Sequence, residues 1–190
     1  MKEKNEIEIL QSNLEPEMVK DPLFMLLCPQ KEKRNRFISK YFSYYLNHWQ
    51  KNGNLFYSNS KKTAAVLINP DEFKYNFSGK NGLALKINEN SANILSRMQI
   101  IENIIGIIMP QGIEKRMLNI YGNPGENLDD ILLLTENAMK KAKQEGFVLI
   151  YETLSKKLVP IFEEKGFEVC YAKQFLNTQF FQTIMTYNFE

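Results

Sequence analysis

Few side chains in this sequence can move a proton or attack an electrophile, and their positions narrow the chemistry. His48 is the lone histidine. It falls beside Trp49 at the margin of an apolar helical stripe, which reads as a boundary residue and not a base. Cys28 and Cys170 lie far apart with no CxxC spacing, so buried reduced thiols are expected rather than a disulfide or a nucleophile. One histidine and two separated cysteines give no metal-ligand spacing. Tyr121 ends a segment that reads as a strand, Lys115 to Tyr121, while Tyr151 and Glu152 share another, Phe147 to Thr153. A phenol can give a proton and a carboxylate can take one. Strand side chains alternate, so Tyr151 and Glu152 face opposite sides of a sheet. At most one lines a given surface. Tyr171 lies on a further strand, Glu168 to Ala172. With nine tyrosines in the chain, packing competes with chemistry for each of them.

Anion binding asks for other features. A helix N-terminus offers unpaired N–H groups and a positive dipole end, and glycines let the backbone close on a phosphate. Here the segment Glu126-Asn127-Leu128-Asp129-Asp130-Ile131 opens a helix expected over Asp129 to Glu145, and it holds neither glycine nor a basic residue. Asp129 and Asp130 suit the helix, since acid complements its N-terminus. They oppose a phosphate: like unit charges ~4 Å apart repel by about 4 kcal/mol at an effective dielectric of about 20. Repulsion of that size offsets about a thousandfold in affinity. Just upstream, Gly122-Asn123-Pro124-Gly125 is either a differently shaped anion loop or an ordinary turn. The run Lys31-Glu32-Lys33-Arg34-Asn35-Arg36 reads as a solvated first helical turn, with an acidic partner or a phosphate as the rival.

These groups must be carried by regular elements, and the periodicity shows which. Phe37, Ile38, Tyr41, Phe42, Tyr45, Leu46 and Trp49 recur at three- and four-residue steps, which predicts a helix from Lys31 to Lys51 ended by Asn52-Gly53. Asn54 to Ser58 and Thr63 to Asn69 read as a hairpin around Asn59-Ser60-Lys61-Lys62. Glu72 to Asn90 reads as loop plus a short element. A further helix, Ser91 to Met109, carries Ile94, Leu95, Met98, Ile101, Ile105 and Ile108 on its buried side and stops at Pro110-Gln111-Gly112. Gln182 to Phe189 reads as the last strand. Strand, helix, strand, short helix and strand around residues 115 to 172 imply a mixed α/β layer fold with a parallel segment.

At 190 residues, one domain covering 1–190 is the expectation. A hydrophobic share of 44% with 12% aromatics is globular, not disordered. A net charge of +2 is too balanced to announce nucleic acid or a membrane surface. The apolar runs fall short of the ~18 residues of a membrane span, and Met-Lys-Glu-Lys-Asn-Glu has no apolar signal core, so a cytoplasmic location is expected.

The stretch Val159-Pro160-Ile161-Phe162-Glu163-Glu164-Lys165-Gly166-Phe167 adds a family signal. Pro160 is tolerated only near a helix start, and Gly166 supplies a left-handed stop. Strand, short Pro-started helix, Gly-Phe and new strand resemble the closing unit of the GNAT acyltransferases, whose usual form is Asn-Val-Pro-Leu-Tyr-Glu-Lys-x-Gly-Phe. Phe162 stands where that family often has its general-acid tyrosine, and Leu158 where it often has asparagine. The resemblance spans about residues 20 to 175 and includes Asp21-Pro22, Pro29, the aromatic helix, the hairpin and the Asn69-Pro70 exit.

The resemblance implies a GNAT-type mixed, splayed central sheet flanked by helices on both faces. The splay is expected between Leu118 to Tyr121 and Phe147 to Glu152. It implies an acetyl-CoA-dependent N-acetyltransferase acting on a small-molecule or protein amine. Acetyl-CoA would lie along Asn119, Ile120 and Tyr121 and on Asn127, Leu128, Asp129, Asp130 and Ile131. With no hydroxyl on Phe162, proton transfer would fall to Tyr121, Tyr151 and Glu152. The alternative is an inactive GNAT-fold ligand-binding or interaction module that has lost normal CoA binding. A homodimer is compatible with either.

Overall fold

The computed structural model describes residues 5–70, 91–108, 112–175 and 178–188. The expected element within Glu72 to Asn90 lies outside them, as do the stop at Pro110-Gln111 and the end of the tail at Phe189. The elements in chain order are α1 (Glu6–Met18), α2 (Pro22–Leu27), α3 (Lys31–Lys51), β1 (Leu55–Tyr57), β2 (Ala64–Ile68) and α4 (Ser91–Ile108). After these come β3 (Lys115–Tyr121), α5 (Leu128–Glu145), β4 (Val148–Thr153), α6 (Val159–Glu164), β5 (Glu168–Gln174) and β6 (Phe181–Tyr187). The fold is mixed α/β: one six-stranded sheet in the order β1-β2-β3-β4-β6-β5, flanked by helices. β1 and β2 pair antiparallel, β3 and β4 parallel, and β6 lies antiparallel between β4 and β5.

Pairing of β3 with β4 runs from Lys115↔Val148 to Leu118↔Tyr151. Both strands continue past that point, β3 to Tyr121 and β4 to Thr153, and Glu152 and Thr153 pair with Ile184 and Thr183 of β6. The ladder stops where the splay is expected to begin. All six residues of β4 are buried, as suits a central strand covered on both faces.

The chain divides into two compact units, Met1–Leu67 with Asn119–Asn137, and Ile68–Leu118 with Ala138–Glu190. In the first, α1 is an element the periodicity reading passed over. Its signals are nevertheless present in the sequence. Asn5 and Glu8 form a capping box, with Asn5 Oδ1 accepting from Glu8 N at 2.9 Å and Asn5 N donating to Glu8 Oε2 at 3.2 Å. Ile7, Leu10, Leu14 and Met18 make a buried stripe, and α1 packs on α3. Asp21 caps α2 through Oδ1, with Pro22 in the first turn where its missing N–H costs nothing.

The basic run at the start of α3 needs correcting. Arg34 is buried, not solvated. Its guanidinium donates to the carbonyls of Cys28 (2.8 Å), Val19 (2.9 Å) and Pro29 (2.8 Å), tying the ends of α1 and α2 to α3. A planar fork with several fixed donors suits three carbonyls. That leaves this residue no role in binding an outside anion.

In the second unit, α6 ends as a Schellman motif. Gly166 sits at φ +90° and donates to Glu163 O, while Phe167 N reaches Phe162 O at 3.0 Å. Phe167 then packs edge-on against Phe162, ring centroids 5.1 Å apart. In α4, Ile101 is buried and Ile105 half-buried. Among the described residues no helix is long and apolar enough to cross a membrane.

Candidate functional site

The first unit holds every residue expected to contact a cofactor. β3 delivers Asn119, Ile120 and Tyr121 to its C-terminal end, and a turn connects them to the start of α5. Gly122 is required there by close approach: a Cβ would meet Thr63 Oγ1 at 2.9 Å and Cγ2 at 3.0 Å. The turn then closes on itself. Gly125 N donates to Asn123 Oδ1, and the amides of Glu126 and Asn127 both donate to Asn123 O. With the Gly125 amide taken and Pro124 lacking one, the turn Gly122-Asn123-Pro124-Gly125 spends part of its donors on its own backbone. Asn127 O accepts from Ile131 N at 3.0 Å, which makes Asn127 the cap residue and begins α5 at Leu128, one residue before the sequence expectation.

Of the two acids on this turn, Asp129 is exposed and Asp130 is half-buried. Asp130 Oδ2 accepts a 2.7 Å hydrogen bond from Ser60 Oγ, and Ser60 shares a 2.8 Å bond with buried Ser58. The β1–β2 turn is thereby pinned to the first turn of α5. Sequence reasoning missed Ser60, because nothing local ties a hairpin turn to a helix 70 residues away.

Tyr121 enters an aromatic cluster. Its ring stacks on Trp49 at 5.7 Å and 16°, and Trp49 stacks in turn on Tyr45 at 5.1 Å and 18°. Phe42 meets Tyr121 edge-on at 5.4 Å. The Tyr121 hydroxyl lies 2.7 Å from that of Tyr41, both rings being buried. Burial pushes the Tyr45 phenol far above its ordinary value, with Tyr41 and Tyr44 adding to the shift.

Among the described residues of this unit, four buried side-chain polar atoms have no hydrogen-bond partner: Trp49 Nε1, Thr63 Oγ1, Asn119 Nδ2 and Asn127 Nδ2. Three are donors that cannot accept, and two of those belong to residues at the β3–α5 corner. Orphaned buried donors are uncommon in folded proteins and ask for an acceptor. A group rich in carbonyl or phosphate oxygens meets that demand.

Tyr151 and Glu152 lie in the second unit and face opposite ways. The Tyr151 ring is covered by Phe162, stacked at 4.0 Å and 8°, with Phe167 edge-on at 6.3 Å. Phe162 has no exposed surface, so it packs the short helix onto the sheet as its lack of a hydroxyl implied. Glu152 is buried on the other face, where Oε1 accepts from Gln182 Nε2 at 2.8 Å. Gln182 is the polar residue here that sequence reasoning did not single out. Its signal is faint: one glutamine at the head of an otherwise regular strand. Tyr171 is half-buried on β5, with the Lys173 ammonium 5.8 Å from its ring centre. Cys28 is buried and Cys170 only half-buried; neither is in a disulfide, so the expectation of two buried reduced thiols holds in full for Cys28 alone.

No protein-family model matches the sequence, and no curated protein matches it. Solved structures do. The C-terminal condensation domain of Ebony, in complex with β-alanyl-dopamine, is similar over 93% of this chain and 92% of its own, with a TM-score of 0.64 at 12% identity. An apo variant of agmatine N-acetyltransferase is similar over 93% of each chain, with a TM-score of 0.59 at 11% identity. At such identities the likeness shows a shared fold.

Proposed function

We propose that the chain is a GNAT-type acyltransferase that takes its acyl group from acetyl-CoA and passes it to an amine. The observation that carries this reading is the end of β3. The strand outruns its pairing with β4 after Leu118↔Tyr151 and turns directly into α5, leaving Asn119 Nδ2 and Asn127 Nδ2 buried without acceptors. The names of the two fold neighbours support it: one acetylates agmatine, an amine, and the other was seen with an N-acylated amine.

The donors at this corner fit the oxygen-rich body of acetyl-CoA. Asn119 and Asn127 would hold its amide or phosphate oxygens, and the first amides of α5 point along a favourable dipole. Asp129 and Asp130 oppose the pyrophosphate, so affinity is weak rather than absent. Bound acetyl-CoA would supply an acyl group already activated as a thioester. The remaining work is proton transfer. Glu152, a buried carboxylate at the end of β4, takes a proton from the attacking amine. Tyr121 is the phenol left to return one to the departing sulfur, since Phe162 has none to give and Tyr151 lies under Phe162 on the sheet face opposite Glu152.

Calorimetric titration of acetyl-CoA, paired with a thiol-release assay over a panel of amines including agmatine and dopamine, tests the proposal. Thiol release that depends on one of the amines is the expected result. No thiol release from any amine, with no heat on adding acetyl-CoA, would return the chain to the reading of a ligand-binding or interaction module.

A further inference from the structure

We propose that the exposed face of α3 docks an acidic amphipathic helix of a partner protein, an inference that goes beyond the catalytic reading and does not depend on it. Lys33, Arg36, Lys40, Tyr44, Asn47 and Lys51 follow one another along α3 at steps of three and four, which sets them in one stripe. All six are exposed, away from the buried aromatic stripe of the same helix. At ~1.5 Å per residue the stripe is about 27 Å long. The basic run that opens α3 thus divides in two. Arg34 turns inward to its three carbonyls, while Lys33 and Arg36 continue outward into Lys40 and Lys51.

Glu32, at the margin of this stripe, is the only acid in α3. Among the described residues no carboxylate forms an ion pair with Arg36, Lys40 or Lys51. A merely solvated helix face usually mixes the two signs. This one presents four cations and, midway, a tyrosine. The Tyr44 ring is 50% exposed and is held edge-on against buried Tyr45, centroids 4.9 Å apart at 84°. Tyrosine and arginine are the residues that most often anchor protein interfaces. Single exposed ion pairs contribute little, so recognition must come from several charges in register around this ring.

The neighbouring helix limits the width of the partner. Gln11 of α1 donates to Ser43 Oγ (2.9 Å), to Ser39 O (3.3 Å) and to Glu15 Oε1 (2.6 Å), which brings the Glu15 carboxylate to that side of α3. α1 also carries exposed Glu8. A membrane surface or a nucleic-acid duplex would lie over both helices and meet these acids. A membrane would further ask for apolar side chains to insert, and the stripe offers Tyr44 alone. One helix, about 10–12 Å across with its side chains, fits on α3 by itself. Its complement is Glu or Asp at three- and four-residue steps with an apolar residue over Tyr44.

The test uses the intact chain and a synthetic helical peptide of about 20 residues, long enough to span the stripe. The peptide is built from Ala and Glu with one central Leu and has its acids on a single stripe. A second peptide of the same composition scatters them round the helix. Fluorescence anisotropy at low salt reads binding, with an oligothymidylate and phosphatidylserine vesicles as the other polyanions. The striped peptide binds more tightly than the scattered one, and its affinity falls as salt rises. Arg36→Glu/Lys40→Glu weakens it about tenfold or more, and Tyr44→Ala about tenfold. Lys40→Gln/Lys51→Gln, a milder change at two exposed positions, weakens it in the same direction and serves if charge reversal disturbs the fold. Equal binding of the two peptides overturns the proposal, as does striped-peptide affinity unchanged in folded variants. Tighter binding of the oligonucleotide or the vesicles, lost in the same variants, also overturns it and assigns this face to a phosphate-bearing polyanion.

Discussion

The hydroxyls of Tyr41 and Tyr121 lie 2.7 Å apart, joining α3 to the end of β3 inside a buried aromatic cluster. Either phenol can be the donor, and each ring is fixed by its neighbours: Tyr41 edge-on to Phe24 at 5.2 Å, Tyr121 stacked on Trp49. Their contact fixes where the terminal residue of β3 points. Removing either hydroxyl leaves the other buried without this bond, at a cost of about 1–3 kcal/mol. The double variant Tyr41→Phe/Tyr121→Phe should lose less than the sum, with a coupling on the order of 1 kcal/mol. Urea denaturation of the four proteins measures it. Strict additivity would mean the two hydroxyls do not interact in solution.

Gly122 makes a sharper prediction, because its reason is space and not backbone angle. A methyl group there meets the Thr63 side chain at 2.9 to 3.3 Å. Overpacking of this kind costs about 1–3 kcal/mol, read as a fall in Tm of roughly 2–4 °C per kcal/mol for a chain of this size. Adding Thr63→Ala to Gly122→Ala should recover much of the loss. If it recovers none, the strain lies in the turn and not in this contact.

Strands and helices with strong periodic patterns were legible in the sequence. The bounds of α3 and β3 match the expectation to the residue, and the Gly166-Phe167 closure behaves as its residues imply, since capping is local chemistry. What stayed hidden was set by side-chain contacts that no periodic pattern specifies. Arg34 reads as a surface charge until three carbonyls surround it, and Ser60 reads as a plain turn residue until Asp130 accepts its hydrogen bond. The pairing of Gln182 with Glu152 depends on the β4–β6 register, which no local pattern specifies. α1 is a different case: its capping box and stripe were present and were simply passed over.

The contact between α1 and the hairpin gives a pH prediction with a definite sign. Glu6 accepts from Tyr57 Oη at 2.6 Å and from Lys61 Nζ at 3.2 Å, and Lys61 also lies 4.2 Å over the Tyr57 ring. The Tyr57 hydrogen bond, then Lys61, holds the Glu6 carboxyl below its ordinary 4.5. A depressed acid stabilises the fold above that value, and the contribution is lost as pH falls through the lowered pKa. Tyr57 is shifted the other way, above 10.0, chiefly by its bond to Glu6. Its contribution is present below that value and lost as pH rises through the raised pKa. Tyr57→Phe should therefore flatten both the acid and the alkaline limb of a plot of urea midpoint against pH. A variant whose limbs match those of the unmodified protein would show that the cluster does not form.

The last prediction concerns the charge at the start of α5. Asp129 is exposed and Asp130 accepts from Ser60 without a basic partner at that bond, so both carboxylates oppose a pyrophosphate at that helix end. CoA is expected to bind the unmodified chain more weakly than about 1 mM, the affinity left when repulsion offsets most of the usual gain. Asp129→Asn should tighten binding, and Asp129→Asn/Asp130→Asn should tighten it further, by about tenfold or more if each charge contributes about 1.4 kcal/mol. Repulsion between partly exposed charges is screened by salt, so the gain should shrink as ionic strength rises. The second substitution also trims the bond to Ser60, and a thermal melt of each variant separates that loss from the change in affinity. Micromolar CoA binding by the unmodified protein, insensitive to both substitutions, would place the pyrophosphate away from this helix end.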